Sequence, residues 1–391
     1  MNTSTLKLGL IATVPNFFVH LLNNIQEYQR QNIEVTLITS HEAYGEYLKK
    51  TYGFKVIEIE IARDISLFKD LRSLWQLWRH LKNEKYDIVH SLTPKAGLIT
   101  SIAGLLTKTP VRIHTFTGQR WATLQGPLRW FLKKLDTLVI RLDTRAYTDS
   151  NSQIQYLLNE GVAKTGELYC LNKGSLGGID PHKFQRPELK TARALLSEQL
   201  SIPEEAKRIL FVGRITPDKG IHELVQAFTS TCEETGAYLI LLGDMERLFS
   251  EEDQALEQTI KTHPKIKYLG FQKKPDVYMA ACDFLCIPSY REGFGTVVIE
   301  AAAAGICALG TDIPGLRDAI VDNSTGLLVP VKDVESLAKG LVLLCSNDNL
   351  RISLSAKAQE RAYSEFDFKI ISTLQIADYK SLVFEKSPLV T

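Results

Sequence analysis

No Asp-x-Asp pair occurs anywhere in the 391 residues, so the usual carboxylate pair for a metal-bridged diphosphate is missing and no metal requirement is expected. No apolar run approaches the roughly 20 residues of a membrane span. The opening run Leu6–Ala12 is too short, and wrongly flanked, for a secretory leader. A soluble or peripheral cytoplasmic protein is therefore expected. The six cysteines (170, 232, 282, 286, 307 and 345) are scattered. Cys282 and Cys286 come nearest to a motif, but no histidine or second pair completes a zinc site. Reduced thiols serving as small core hydrophobes are the simplest expectation. Low-complexity tracts and fixed-period repeats are also missing. Gly293-Phe294-Gly295 lacks the third glycine of a dinucleotide fingerprint, and Arg214–Lys219 is no Walker loop.

What is present suits a large α/β protein. Apolar residues make up 45% and charged residues 23%, enough to bury two cores without staples. The first half alternates expected strands (8–14, 34–39, 55–61, 87–91, 111–115) with expected helices (17–30, 67–81, 95–106). Such alternation argues for a parallel sheet covered on both faces. Trp75 and Trp78, three apart on one of those helices, read as core packing. A second series follows the linker around 180–187, with strands at 209–213, 237–242, 266–269, 284–288, 307–310 and 326–329. Helices are expected there at 221–228 and 296–304. The expected division is an N-terminal domain (1–183), a C-terminal domain (184–364) and a last helix (365–391) packing back on the first. Net charge is only +1, yet residues 1–183 hold 23 Lys/Arg against 16 Asp/Glu, and the remainder 23 against 29. Within 108–145 eight basic residues face two acidic ones. The first domain is thus suited to an anionic partner.

Two segments carry the chemistry. Gly213-Arg214-Ile215-Thr216-Pro217-Asp218-Lys219-Gly220 sets two cations between a strand's carboxyl end and a helix, with flanking glycines that let the backbone turn tightly. That arrangement suits a diphosphate. Pro288-Ser289-Tyr290-Arg291-Glu292-Gly293-Phe294-Gly295-Thr296 ends a strand, makes a Gly-x-Gly turn and starts a helix whose first amides can meet phosphate. Glu292 precedes the turn and Glu300 lies one helical turn inside. Glu300 also interrupts the apolar run 297–304, where a carboxylate needs a partner or a ligand.

With Leu242-Gly243-Asp244, Tyr268-Leu269-Gly270-Phe271 and Gly326-Leu327-Leu328-Val329-Pro330, these segments resemble the retaining family 4 glycosyltransferases, the sucrose synthase and mannosyltransferase-like group. That resemblance implies the GT-B fold, two Rossmann-like domains facing across a cleft. It implies that Arg214 and Lys219, with Gly213, hold the donor diphosphate, and that Gly293, Phe294, Gly295 and Thr296 cradle it. Glu300 would bind the ribose hydroxyls, Glu292 the donor sugar, and Phe271 the base pocket. Asp87–Gly97, Arg112–Gln119 and Gly174–Asp180 are similar to members that build bacterial surface polysaccharides such as capsule and lipopolysaccharide. Many relatives carry His-Gly where this chain has Thr117-Gly118, and that histidine touches the transferred sugar. His114, three residues earlier, and Thr117 itself are the two candidates for that contact.

The expected reaction is retaining transfer of a hexose or N-acetylhexosamine from a uridine diphosphate sugar to a polyprenyl-pyrophosphate-linked or saccharide acceptor. No cofactor and no nucleic acid is implied. A nucleotide-sugar epimerase of the same shape and a non-catalytic nucleotide-sugar-binding protein stand as alternatives. Leu128–Leu135 mixes bulky apolar and basic residues at helical spacing, which suits docking on the inner face of the cytoplasmic membrane through Lys133 and Lys134.

Overall fold

Alternating strands and helices become two parallel sheets in the computed structural model, which describes residues 5–62, 66–245 and 250–386. The chain divides into one unit of Met1–Gly178 with Phe368–Thr391 and another of Ile179–Asp367.

The first unit runs β1 (Leu6–Ile11), α1 (Leu22–Arg30), β2 (Ile33–Thr39), α2 (Ala43–Tyr52), β3 (Lys55–Glu58), α3 (Leu67–Glu84), β4 (Ile88–Ser91), α4 (Pro94–Leu106), β5 (Val111–Phe116), α5 (Gly126–Leu142), β6 (Arg145–Thr148), α6 (Asn151–Asn159) and β7 (Leu168–Tyr169). Its seven strands lie in the order β3-β2-β1-β4-β5-β6-β7, every pairing parallel. β1 shows why the strands are so apolar. Leu8 and Leu10 enter a core with α1, whereas Ile11 enters a second core under α3 and α4. A strand covered on both faces has no solvent side to spend on polar residues. α4 packs against both α3 and α5, so these three helices lie side by side.

Two expectations shift here. The first strand ends at Ile11, and Pro15–Leu21 form a tight 3-10 stretch before α1. Pro15 fixes its own φ and has no N–H to give, which suits the first turn of such a stretch. Trp75 does not pack inward. It is 53% exposed, while Leu77 and Leu81 take the core face of α3.

The second unit runs α7 (Ala192–Leu200), β8 (Arg208–Val212), α8 (Ile221–Thr235), β9 (Tyr238–Leu242), α9 (Glu251–Thr262), β10 (Ile266–Tyr268), α10 (Pro275–Ala281), β11 (Phe284–Ile287), α11 (Thr296–Ala303), β12 (Cys307–Thr311), α12 (Leu316–Ala319), β13 (Gly326–Val329), α13 (Val334–Ser346) and α14 (Asp348–Glu365). Its six parallel strands take the order β10-β9-β8-β11-β12-β13. The unit begins at Ile179 rather than 184, and Ile179 N–H donates to Phe366 O (2.7 Å), bringing its first residue against its end. All six cysteines are free, and five are buried.

α15 (Phe368–Lys386) rejoins the first unit and packs on α1. Asn24 Nδ2 donates to Ser372 Oγ (2.9 Å), and His90 Nδ1 pairs with the Tyr379 hydroxyl (2.6 Å). No helix among the described residues is long and apolar enough to cross a membrane.

Candidate functional site

In the second sheet the chain reverses direction between β8 and β11, which are neighbours with their next strands on opposite sides. Ligands of open α/β sheets bind outside the strands' carboxyl ends at such a point. The two segments singled out by sequence are the loops that leave those two strands.

The loop after β8 exposes Arg214 and buries Ile215 and Thr216. Gly220 has φ +69, and a Cβ there would sit 2.0 Å from Pro288 O. Only glycine lets the two loops approach this closely. Asp218 then ties them together. Its Oδ1 accepts from Thr216 Oγ1 (2.7 Å), its Oδ2 from Arg291 Nη2 (3.0 Å), and its carbonyl from Tyr290 N (2.9 Å). Burial pushes this carboxyl upward, but the Thr216 hydroxyl and the Arg291, Arg214 and Lys219 cations outweigh it and hold it below the usual aspartate value. Asp218 is therefore a fixed anion around which the cations are arranged.

Glu292 belongs to the same network. Its Oε1 accepts from Lys219 Nζ (2.5 Å) and from Ser289 Oγ (2.7 Å). The carboxylate is 13% exposed and the lysine 20%. Ser289 is itself held by Thr311, whose hydroxyl donates to its carbonyl. The sequence reading treated the pyrophosphate cation and the sugar-side carboxylate as separate contacts. The structure joins them as one ion pair.

Past Glu292 the chain turns through Gly293 to Gly295 and enters α11 at Thr296. No side chain caps this helix, and an uncapped first turn suits an external acceptor. Gly315 supports the turn, with φ +91 and no room for a Cβ beside the carbonyls of Glu292 and Gly293 (2.7 Å each). Phe294 needs a correction as a donor-binding residue. Its ring is 2% exposed and packs against Phe366 at 5.2 Å between centroids. The side chain anchors the turn in the core, and only its backbone faces the site. Glu300 lies farther along α11 with Lys183 Nζ at 3.8 Å. Phe271, 66% exposed, follows β10. Its loop joins the others through Gly270 O, which accepts from Gly243 N (2.9 Å), while Gly243 lies against Gly213 O, 1.8 Å from where a Cβ would be. Arg214, Lys219, Glu292 and Phe271 thus stand along adjacent strand ends. Sequence reasoning missed Asp218 and Ser289 as organisers. The signal for Asp218 was an acid directly beside Lys219.

In the first unit Thr117 follows β5 and is part exposed, its Oγ1 donating to Leu92 O at 3.4 Å. His114 is not a sugar contact. It is 1% exposed, its Nδ1 pairs with Ser91 Oγ (2.8 Å), its ring meets Phe116 edge-on, and Gly97 of α4 closes over it. An imidazole under a glycine on a covered strand cannot reach a ligand. Burial holds His114 at about 3 instead of 6.5. His90 is likewise held at about 3, by burial and then by the neighbouring His114. Neutral rings in the fold and protonatable rings in the unfolded chain give stability that is complete above pH 6.5 and drains as pH falls toward 3. Burial also raises the carboxyls of Asp143 and Asp149 to about 7 and of Asp136 to about 6, which act in the opposite sense. The comparison is therefore between proteins at each pH. A His90→Gln/His114→Gln variant, though less stable at pH 7, loses less of its melting temperature than wild type on going to about pH 5. Parallel losses in thermal scans would contradict the buried neutral pair.

Residues 193–361 match the family Glycosyl transferases group 1, and residues 19–166 match Glycosyl transferase 4-like domain. The chain belongs to the group 1 glycosyltransferases. The Staphylococcus aureus capsular polysaccharide biosynthesis glycosyltransferase CapM is 29% identical over 93% of this glycosyltransferase and 94% of its own length. A Campylobacter jejuni N,N'-diacetylbacillosaminyl-diphospho-undecaprenol alpha-1,3-N-acetylgalactosaminyltransferase is 24% identical over 90% and 92%. Among solved structures, Anabaena HepE in complex with UDP and glucose superimposes with a TM-score of 0.78 at 20% identity, covering 96% of this chain and 99% of that one. The two Rossmann-like units are those of the GT-B fold.

Proposed function

We propose that this glycosyltransferase moves a hexose or N-acetylhexosamine, with retention of anomeric configuration, from a uridine diphosphate sugar onto a polyprenyl-diphosphate-linked or saccharide acceptor. The setting is bacterial surface polysaccharide assembly, capsule or lipopolysaccharide, at the inner face of the cytoplasmic membrane. The observation that carries the reading is the Lys219–Glu292 pair (2.5 Å) beside the start of α11, at the switch point of the second sheet. Support for the donor and the lipid carrier comes from HepE, solved with UDP and glucose, and from the undecaprenol-linked substrate in the Campylobacter relative's name.

In this reading Arg214, Lys219 and the first amides of α11 take the charge that grows on the departing diphosphate. Glu292 holds the sugar and Glu300 the ribose hydroxyls. The acceptor hydroxyl attacks the anomeric carbon on the face the diphosphate leaves, and its proton passes to the departing phosphate oxygen. Fixed side-chain cations offset the leaving-group charge, so no metal is needed. The test is incubation with labelled nucleotide sugars and polyprenyl-diphosphate acceptors, with the product anomer read by NMR. Transfer with retention that persists in EDTA is expected. Isomerised donor, an inverted product, or activity abolished by EDTA and restored by magnesium would each overturn the corresponding part.

A further inference from the structure

Glu300 faces a lysine to which the donor reading gives no task. Lys183 Nζ stands 3.8 Å from Glu300 Oε1, beyond hydrogen-bond length, and the two side chains are 39% and 23% exposed. A pair so long and so open adds little to the stability of the fold. The backbone that carries the lysine is nevertheless fixed on all sides. Lys183 N–H donates to Asp180 O (3.1 Å), and its own carbonyl accepts from Arg186 Nε (3.0 Å). Arg186 in turn bonds the buried Asp276 carboxylate of α10. The next residue, Phe184, is buried in the same core cluster as Val298 and Ile299 of α11. The segment Pro181–Phe184 is thus planted beside α11 and carries an ammonium to Glu300.

The distance between the two charges suits a hydroxyl. A carboxylate accepts hydrogen bonds and an ammonium donates them, whereas a hydroxyl does both. A sugar hydroxyl that donates to Glu300 and accepts from Lys183 needs about 2.8 Å to each. An oxygen set to one side of a 3.8 Å gap satisfies both lengths. The diphosphate is expected farther away. α11 starts at Thr296, four residues before Glu300 and about 6 Å back along its axis. Lys183 therefore sits a full turn from the amides that would meet phosphate, and its nearest ligand atoms are those that Glu300 binds. As a latch that merely occupies Glu300, the pair is too long. The contrast with the other site lysine is direct: Lys219 bonds Glu292 at 2.5 Å and leaves no such room.

We propose that Lys183 is a further nucleotide-binding residue, gripping the ribose hydroxyls together with Glu300 and so selecting ribonucleotides over nucleotides without those hydroxyls. This deepens the uridine diphosphate reading and rests on the ribose lying at Glu300. The experiment is calorimetric titration of the full chain with UDP and with dideoxyuridine diphosphate, which lacks both ribose hydroxyls. Wild type prefers UDP by about 100-fold, and Lys183→Met weakens UDP about tenfold while leaving the dideoxy compound unchanged. Glu300→Gln contracts the preference by a similar factor. The Lys183→Met/Glu300→Gln double variant loses less than the product of the two single losses, because both act on the same hydroxyls. Lys190→Met, which removes an exposed charge a few residues away, binds both nucleotides as wild type, and the melting temperature of Lys183→Met is unchanged. Equal weakening of both nucleotides by Lys183→Met would make the lysine a general attractor of phosphate, and tighter UDP would make it a latch; either overturns the proposal. The two readings fail separately. A preference that contracts in Glu300→Gln but not in Lys183→Met sinks the role of Lys183 alone, and one that contracts in neither sinks the placement of the ribose itself.

Discussion

Glu292→Gln lowers kcat for sugar transfer by about 10²–10³-fold, while UDP binds at least as tightly as to wild type. The two halves of this expectation come from the same contact. Glu292 shares Lys219 with whatever diphosphate occupies the loop, at 2.5 Å when it holds the lysine itself. Removing its charge releases the full ammonium to the diphosphate, so affinity for the plain nucleotide holds or rises. What is lost, in the proposed function, is a carboxylate holding the sugar, an interaction the nucleotide alone never uses, and its removal appears in turnover. Glu300→Gln behaves in the converse way, weakening UDP through the ribose. Calorimetric titration of UDP with both variants, next to initial rates with saturating donor, checks the pattern. If Glu292→Gln weakened UDP as much as Glu300→Gln does, the orientation of the donor would be reversed.

Lys219→Ala has the largest effect on binding, roughly 100-fold weaker UDP, against about tenfold for Arg214→Ala. Both remove a charge-assisted contact. Arg214 stands exposed, where water screens part of its contribution. Lys219 is mostly covered, and its loss strands a carboxylate that is 13% exposed next to an incoming dianion. The penalty is therefore the missing attraction plus a new repulsion. It follows that Lys219→Ala/Glu292→Gln binds UDP about tenfold tighter than Lys219→Ala alone. A double variant no tighter than the single, or an Arg214→Ala loss exceeding that of Lys219→Ala, would refute the coupled arrangement.

The second unit was readable because strands such as Leu239–Leu242 are continuous apolar runs, and those of β8 and β9 hand over directly to glycine. Both site loops declared themselves by charge placed where a strand hands over to a helix. Other elements gave weaker signals. α2 (Ala43–Tyr52) carries Gly45 and mixed polar residues, and the two-residue β7 has no periodicity to detect. His114 misled because a histidine near a family motif looks functional, and only the fold reveals Gly97 lying over its ring. The Lys219–Glu292 pair was invisible for another reason. Seventy-three residues separate its members, and no local pattern records which loops a switch point brings together.

The last helix has a consequence for how the enzyme is made. The first unit is built from segments on both sides of the second, up to Gly178 and from Phe368 onward, so a nascent chain cannot close it until the whole second unit has been synthesised. Ile179–Asp367 is continuous and can close on itself while the ribosome is still working. Until Tyr379 and Ser372 emerge, His90 has only Thr115 for a partner and Asn24 lacks the hydroxyl its amide donates to, and the apolar side chains of α1 remain open to solvent. Translation products that stop between the second unit and α15 therefore carry a closed second unit joined to an unsealed first one. A chain cut short near 367 leaves exposed the α1 side chains that α15 covers, surface of the kind that draws chaperones and proteases to incomplete chains.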